Sequence, residues 1–248
     1  MSCEAKNISR LRISRLLGMM RSKKYVIYKE PYQLNIVGVR NAKTDPTKFD
    51  DKIYVFYKND KDNWEGKQFE ATTDPSTKYL LRGGYNSSTT GTAILPQGQY
   101  VNKWTIRPHG TTGYMALGQR NDAGGKICVY RDYDRNSTLN FDIETKSCGN
   151  YGINIHRAKI GKADDGKGNT LKIGSYSAGC QVFQNSYCFD EFMDMAYKQK
   201  SLYGNKFTYT LFDLSLQRKF FLKRSVYTLS LITGLSVLGY GIYKLNNK

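Results

Sequence analysis

Gly152-Ile-Asn-Ile-His156-Arg157 and, beyond a loop, Ser175-Tyr-Ser-Ala-Gly179-Cys180-Gln-Val-Phe183 are the two segments on which the reading of this chain turns. The first reads as a strand that ends in a histidine. The second reads as a tight glycine turn that presents a cysteine. The residues between them, 159–170, are rich in Gly, Asp and Lys and are expected to form an exposed loop. A thiol with an ordinary pKa of about 8.5 is mostly protonated at neutral pH. A neighbouring imidazole can take that proton and create a nucleophile. Glycine just before the cysteine lets the backbone approach a substrate carbonyl, so that main-chain N–H groups can stabilise an oxyanion. The competing reading is a cysteine buried as a small apolar residue.

Outward from this pair the texture is that of a mainly β domain. Tyr25-Val-Ile-Tyr28, Ile53-Tyr-Val-Phe-Tyr57, residues 67–73, 100–107, 114–117, 126–130, 137–143 and 207–212 all read as strands. Residues 43–51 and 83–91 carry the Asp-Pro, Gly and Ser signals of loops. Residues 189–200 break the pattern: Phe189, Phe192, Met193 and Ala196 recur at helical spacing, with acidic residues in the first turn and Lys in the last. The ends differ from the middle. Residues 1–24 read as a basic amphipathic helix with Ile8, Leu11, Leu16, Met19 and Met20 on one broad face, suited to an anionic membrane, to nucleic acid or to its own domain. Residues 225–243, SVYTLSLITGLSVLGYGIY, are uncharged, flanked by basic residues and long enough as a helix to cross a bilayer. The expected organisation is a basic N-terminal segment (1–24), a β-rich catalytic domain (25–217) and a C-terminal membrane anchor (218–248).

The formal charge of +17 predicts attraction to anionic polymers or surfaces such as nucleic acid, anionic lipid or acidic cell-wall polymers. The five cysteines lack the spacing of a structural zinc site, and only two histidines, His109 and His156, accompany them. No metal or cofactor is expected. A Cys128–Cys148 disulfide is open to this sequence, and Cys180 is the expected free thiol. Residues 6–24 lack the continuous apolar core of a secretory signal. Gly166-Lys-Gly168 is too short for a phosphate loop. His109 suits a surface loop or a second imidazole at the site, and Asp164 and Asp165 suit a solvated loop.

His156 precedes Cys180 by 24 residues. That order sets aside papain-like and NlpC-type peptidases, where the cysteine comes first, and the spacing is far shorter than in caspases. Ile153-Asn-Ile-His156 followed by Ser177-Ala-Gly179-Cys180 resembles the signature of L,D-transpeptidase (YkuD-type) catalytic domains. Ile94-Leu-Pro96-Gln-Gly98-Gln-Tyr100 resembles the Thr-Pro-x-Gly-x-Phe/Tyr strand of the same family. The resemblance spans about residues 50–213 and implies a β-rich sandwich-like fold. It implies that Cys180 attacks a carbonyl of the peptidoglycan stem peptide and that His156 is the general base. A main-chain carbonyl near Arg157 would orient the imidazole, and Gly179, Ser177 and Ala178 would shape the pocket and oxyanion site. Ala178, Gln181 and Arg157 depart from the family's usual residues, which favours hydrolysis over cross-linking. A membrane-tethered enzyme of a phage or other virus fits these features. An inert virion or membrane protein that binds lipid or nucleic acid is the alternative.

Overall fold

The structure, a computed structural model, describes residues 3, 5–85, 90–110, 113–159 and 164–215. The expected membrane span at 225–243 lies outside them. Twelve strands dominate the described chain: β1 (Lys6–Asn7), β2 (Asn35–Arg40), β3 (Asp51–Lys58), β4 (Trp64–Thr72), β5 (Thr92–Ile94), β6 (Gly98–Pro108), β7 (Met115–Gln119), β8 (Ile127–Asp132), β9 (Ser147–Gly149), β10 (Ile155–Arg157), β11 (Gln181–Phe183) and β12 (Phe207–Asp213). Three helices accompany them: α1 (Arg10–Ser22), α2 (Thr77–Arg82) and α3 (Ser186–Tyr203). The mainly β class expected from the sequence is therefore what the chain adopts. No described helix is long and apolar enough to cross a membrane.

Nine strands form one sheet in the order β1-β4-β11-β10-β7-β6-β12-β2-β3, and β3 also pairs with β4. That last pairing, eight residues long, closes the sheet on itself like a barrel. A smaller sheet, β5-β8-β9, adds Ala93, Ile127 and Val129 to the barrel's core, around Trp104, Phe183, Phe189 and Phe192. Closure leaves few free edges for unwanted pairing. It also explains why β2, Asn-Ile-Val-Gly-Val-Arg, escapes a search for alternation. Ile36 faces the main core, Val37 faces a second cluster on the other side, and both are fully buried. Gly38 is required there, because a Cβ would collide with the ring and hydroxyl of Tyr209.

The N-terminal helix is part of the domain. Ser9 caps α1 by accepting the Arg12 N–H at 3.2 Å. Ile13, Leu16, Leu17 and Met20 pack on Val37, Tyr54, Phe56 and Phe212. The stripe is rotated from the one read in sequence: Ile13 and Leu17 are buried, whereas Leu11 is 63% exposed. Arg10 and Arg12 sit unfavourably in a first turn, so burial rather than the helix dipole holds this element.

Two expected strands are absent, each for a visible reason. Tyr25–Tyr28 makes no ladder, because Gln99 takes a strand's place: Gln99 Oε1 accepts the Val26 N–H at 2.8 Å and Gln99 Nε2 donates to the Val26 carbonyl at 2.9 Å. Residues 137–143 form a loop, because Asp134 and Asn136 side chains capture nearby backbone N–H groups. The α3 helix starts at the Asn185–Ser186 junction that the sequence offers as its beginning, and the Asn185 side chain caps it by accepting the N–H groups of Tyr187 and Cys188. It ends before Gly204, which has φ +83°.

Candidate active site

The site is built where β10 and β11 run parallel, with Ile155 opposite Gln181 and His156 opposite Val182. Side chains alternate across a strand, so Cys180, just before β11, shares a face with Val182 and with His156. Ala158 and Val182 form a small cluster there, and Cys180 packs against its edge. Of the five cysteines, Cys3 is bonded to Cys188 and Cys128 to Cys148. Cys180 alone is free. Of the two disulfides, the one read as open in sequence has formed. Cys3–Cys188 was not foreseen, because nothing in the sequence shows that residue 3 returns to α3.

The imidazole is fixed by one short contact. His156 Nδ1 lies 2.8 Å from the Arg157 carbonyl oxygen. A carbonyl can only accept, so Nδ1 carries the proton and Nε2 is left with its lone pair. Tyr114 donates its hydroxyl to the same carbonyl at 3.2 Å. His109 stacks on His156 with ring centroids 4.2 Å apart and planes tilted by 23°. Asn154 sets the tautomer of that second ring. Its Oδ1 accepts the Gln119 N–H at 3.0 Å, so its Nδ2 donates to His109 Nδ1 at 3.3 Å and His109 carries its proton on Nε2. His109 thus belongs to the site and not to a plain surface loop. The signal for it was its position at the end of β6, which the β6–β7 pairing folds back toward β10.

The imidazole and the thiol are both neutral near pH 7. Burial, followed by the neighbouring His109, lowers the His156 pKa to about 3. Burial pushes the Cys180 thiol up to about 11, although the residue as a whole is half-buried. The sulfur contacts the Asn154 N–H at 3.4 Å and the Gly152 carbonyl at 3.5 Å. No ready-made thiolate–imidazolium pair exists. Forming a thiolate at this site would require proton transfer to an acceptor such as Nε2.

Several residues expected to line the pocket hold the turn instead. Ser177 is fully buried. Its hydroxyl lies 2.6 Å from the Asp74 carbonyl and 2.9 Å from the Cys180 carbonyl, and accepts the Gly179 N–H at 3.3 Å. It is a brace, and it uses the Gly179 N–H that the sequence reading had offered as an oxyanion donor. Gly179 has φ +118°, and a Cβ there would run into the Ala93 carbonyl, so no other residue fits. The Arg157 side chain is also not at the thiol. It pairs with Asp190 at 2.8 Å and lies over the Tyr114 ring at 4.4 Å. Its contribution to the site is its carbonyl. Ala178 is half-buried beside the turn. Gln181 points into the barrel, where its Oε1 accepts the Tyr209 hydroxyl at 2.7 Å. Departures at 157 and 181 therefore sit on the side of the sheet away from the thiol.

The segment Ile94–Tyr100 spans the end of β5, a turn and the start of β6. Ala93 meets Gly179 directly, and Leu95 accepts from the buried Arg40 at 3.0 Å. Arg40 in turn pairs with Asp74 at 2.6 Å, the residue whose carbonyl holds Ser177. The three short motifs are thus parts of one support. Among the described residues no three His, Cys, Asp or Glu side chains gather as a metal-ligand group. Comparison with known proteins finds no matching family model, no matching curated protein and no matching solved structure.

Proposed function

We propose that this chain is a cysteine acyl-transfer enzyme of the L,D-transpeptidase type, acting on the stem peptides of peptidoglycan. The observation that carries the reading is the His156 Nδ1 to Arg157 carbonyl bond, which leaves Nε2 as a base on the strand face that also holds the free thiol of Cys180. In the first step Cys180 Sγ bonds to the carbonyl carbon of the peptide while its proton passes to His156 Nε2. The Cys180 N–H stabilises the oxyanion, since the Gly179 N–H is already engaged. The tetrahedral species collapses, the C–N bond breaks, and the proton on Nε2 goes to the leaving amine. Water, or an acceptor amine, then attacks the thioester through the same base and releases the thiol. Loss of turnover on purified peptidoglycan in the full-length Cys180→Ala protein, with product masses measured, supports the reading. Undiminished turnover overturns it.

The setting proposed for this activity is a host envelope or virion membrane, with lipid engaged through residues 225–243. Phage penetration or lysis is the use we assign to it. Two disulfides fit an oxidising compartment, whereas four basic residues ahead of the span against two behind it would hold the domain on the cytoplasmic side. Protease access to the domain in intact cells or particles separates these. One observation favours the alternative of an inert virion or membrane structural protein: a thiol pushed up to about 11 and an imidazole lowered to about 3 are also what two buried, unused groups show. Salt-sensitive binding of lipid or nucleic acid with no labelling of Cys180 by an electrophilic β-lactam would favour it.

A further inference from the structure

The loop that follows β8 reads Asp132-Tyr-Asp134-Arg-Asn136-Ser-Thr138-Leu-Asn140. Oxygen-bearing side chains recur at every second position. Calcium loops of the Asp-x-Asp/Asn-x-Asp/Asn kind use this spacing to wrap the chain around a cation, with a main-chain carbonyl at the seventh position. The spacing alone would carry nothing, since any polar loop can show it. Asp132 supplies the second observation. It is fully buried, and its Oδ1 has no hydrogen-bond partner among the described residues. Its other oxygen reaches across the loop to the Asn140 N–H at 2.9 Å, and the Asp134 carboxylate stands beside it. Two carboxylates this close, one of them buried, need a shared proton or a cation between them, and a raised Asp132 pKa of about 6 leaves the cation as the partner at neutral pH.

The loop is already curled for that purpose. Asp134 Oδ1 accepts the Asn136 N–H at 3.3 Å, and Asn136 Oδ1 accepts the Thr138 N–H at 2.6 Å. Arg135 takes φ +52°, which turns the chain between the two. We propose that Asp132, Asp134, Asn136, the Thr138 carbonyl and Asn140 form a calcium site. The sequence reading placed no metal in this chain. Only two of these donors are carboxylates; the others are amide and main-chain oxygens. An all-oxygen, flexible set of this kind suits Ca2+ over Mg2+, and the low carboxylate count places its Kd at about 0.1–1 mM, the range of extracellular modules.

The site would steady the floor of the thiol turn. It sits on β8, which is bonded to β9 through Cys128–Cys148 and paired to β5 through Ala93, the residue that meets Gly179. The test uses the full-length protein stripped with EDTA and titrated with CaCl2 or MgCl2. Melting temperature and Tb3+ luminescence sensitised by Tyr133, in the loop itself, are the two readouts. Expected is a rise in Tm saturating near millimolar Ca2+, little response to Mg2+, and Tb3+ emission displaced by Ca2+. Asp132→Asn risks misfolding, so the informative variant is exposed Asp134→Asn. It should keep the Tm measured in EDTA and weaken Ca2+ at least tenfold. No Ca2+-dependent change in Tm or in Tb3+ emission overturns the site, as does a Ca2+ response that Asp134→Asn leaves intact.

Discussion

Keeping His156 neutral links the site to folding. Its folded pKa of about 3 lies below the unfolded value of about 6.5, so the unfolded chain takes up the proton first. The stability it contributes is complete above pH 6.5 and is lost as pH falls toward 3, at about 1.4 kcal/mol per unit at most. Urea denaturation at pH 7, 6, 5 and 4.5 should show a steep acid limb that flattens in His156→Gln. Cys180 offers a separate reading. With its pKa at about 11, alkylation by iodoacetamide should be slow at pH 7 and climb steadily to pH 10. A midpoint near pH 5 would show a preformed ion pair and refute the neutral resting state. At Gly179 the backbone itself is the constraint: Gly179→Ala should cost on the order of 3 kcal/mol, since it combines a positive φ with a collision at the Ala93 carbonyl. His156 and Cys180 could be singled out in sequence because the chain has only two histidines and five cysteines to choose from. Ser177 and Arg157 could not be placed, because whether a hydroxyl or a guanidinium lines a pocket depends on which side of the sheet it faces.

Among the elements, α1 shows how a pattern can be right in kind and wrong in phase. Its helical period was legible, but several stripes of a short basic helix are nearly equivalent until a partner surface chooses one. The sheet chose Ile13, Leu16, Leu17 and Met20. Leu17→Ala should therefore cost about 2–4 kcal/mol in chemical denaturation, and Leu11→Ala less than about 0.5. Equal effects would mean that the helix does not pack as described. Strands β3, β4, β6 and β12 were legible because aromatic and β-branched runs mark them. β2 was hidden by burial on both faces, and β11, three residues long, is too short to show a period, whereas β10 was legible as the strand around His156. Local side-chain bonds removed the expected strands at 25–28 and 137–143, and such competition is invisible to a window of hydropathy.

For the molecule as a whole, closure of the sheet places residues from the middle and the end of the chain on neighbouring strands, and two disulfides fasten the result. Cys3 and Cys188 are separated by 185 positions. A loop of that size gives a large chain-entropy effect, so Cys3→Ser should lower stability by about 3–5 kcal/mol in equilibrium unfolding under non-reducing conditions. The same variant should leave the alkylation profile of Cys180 unchanged, because the thiol turn rests on β5 and β10, away from residue 3.

The Cys3–Cys188 bond also sets an order of events during synthesis. Cys3 leaves the ribosome 185 residues ahead of its partner, which is not made until β11 and the start of α3 have followed. The bond therefore cannot close on a nascent or prematurely terminated chain that stops short of residue 188. Its oxidation state is a completion mark: a population with Cys3 blocked to thiol reagents has been translated through the Cys180 turn, folded, and delivered to a place where thiols oxidise.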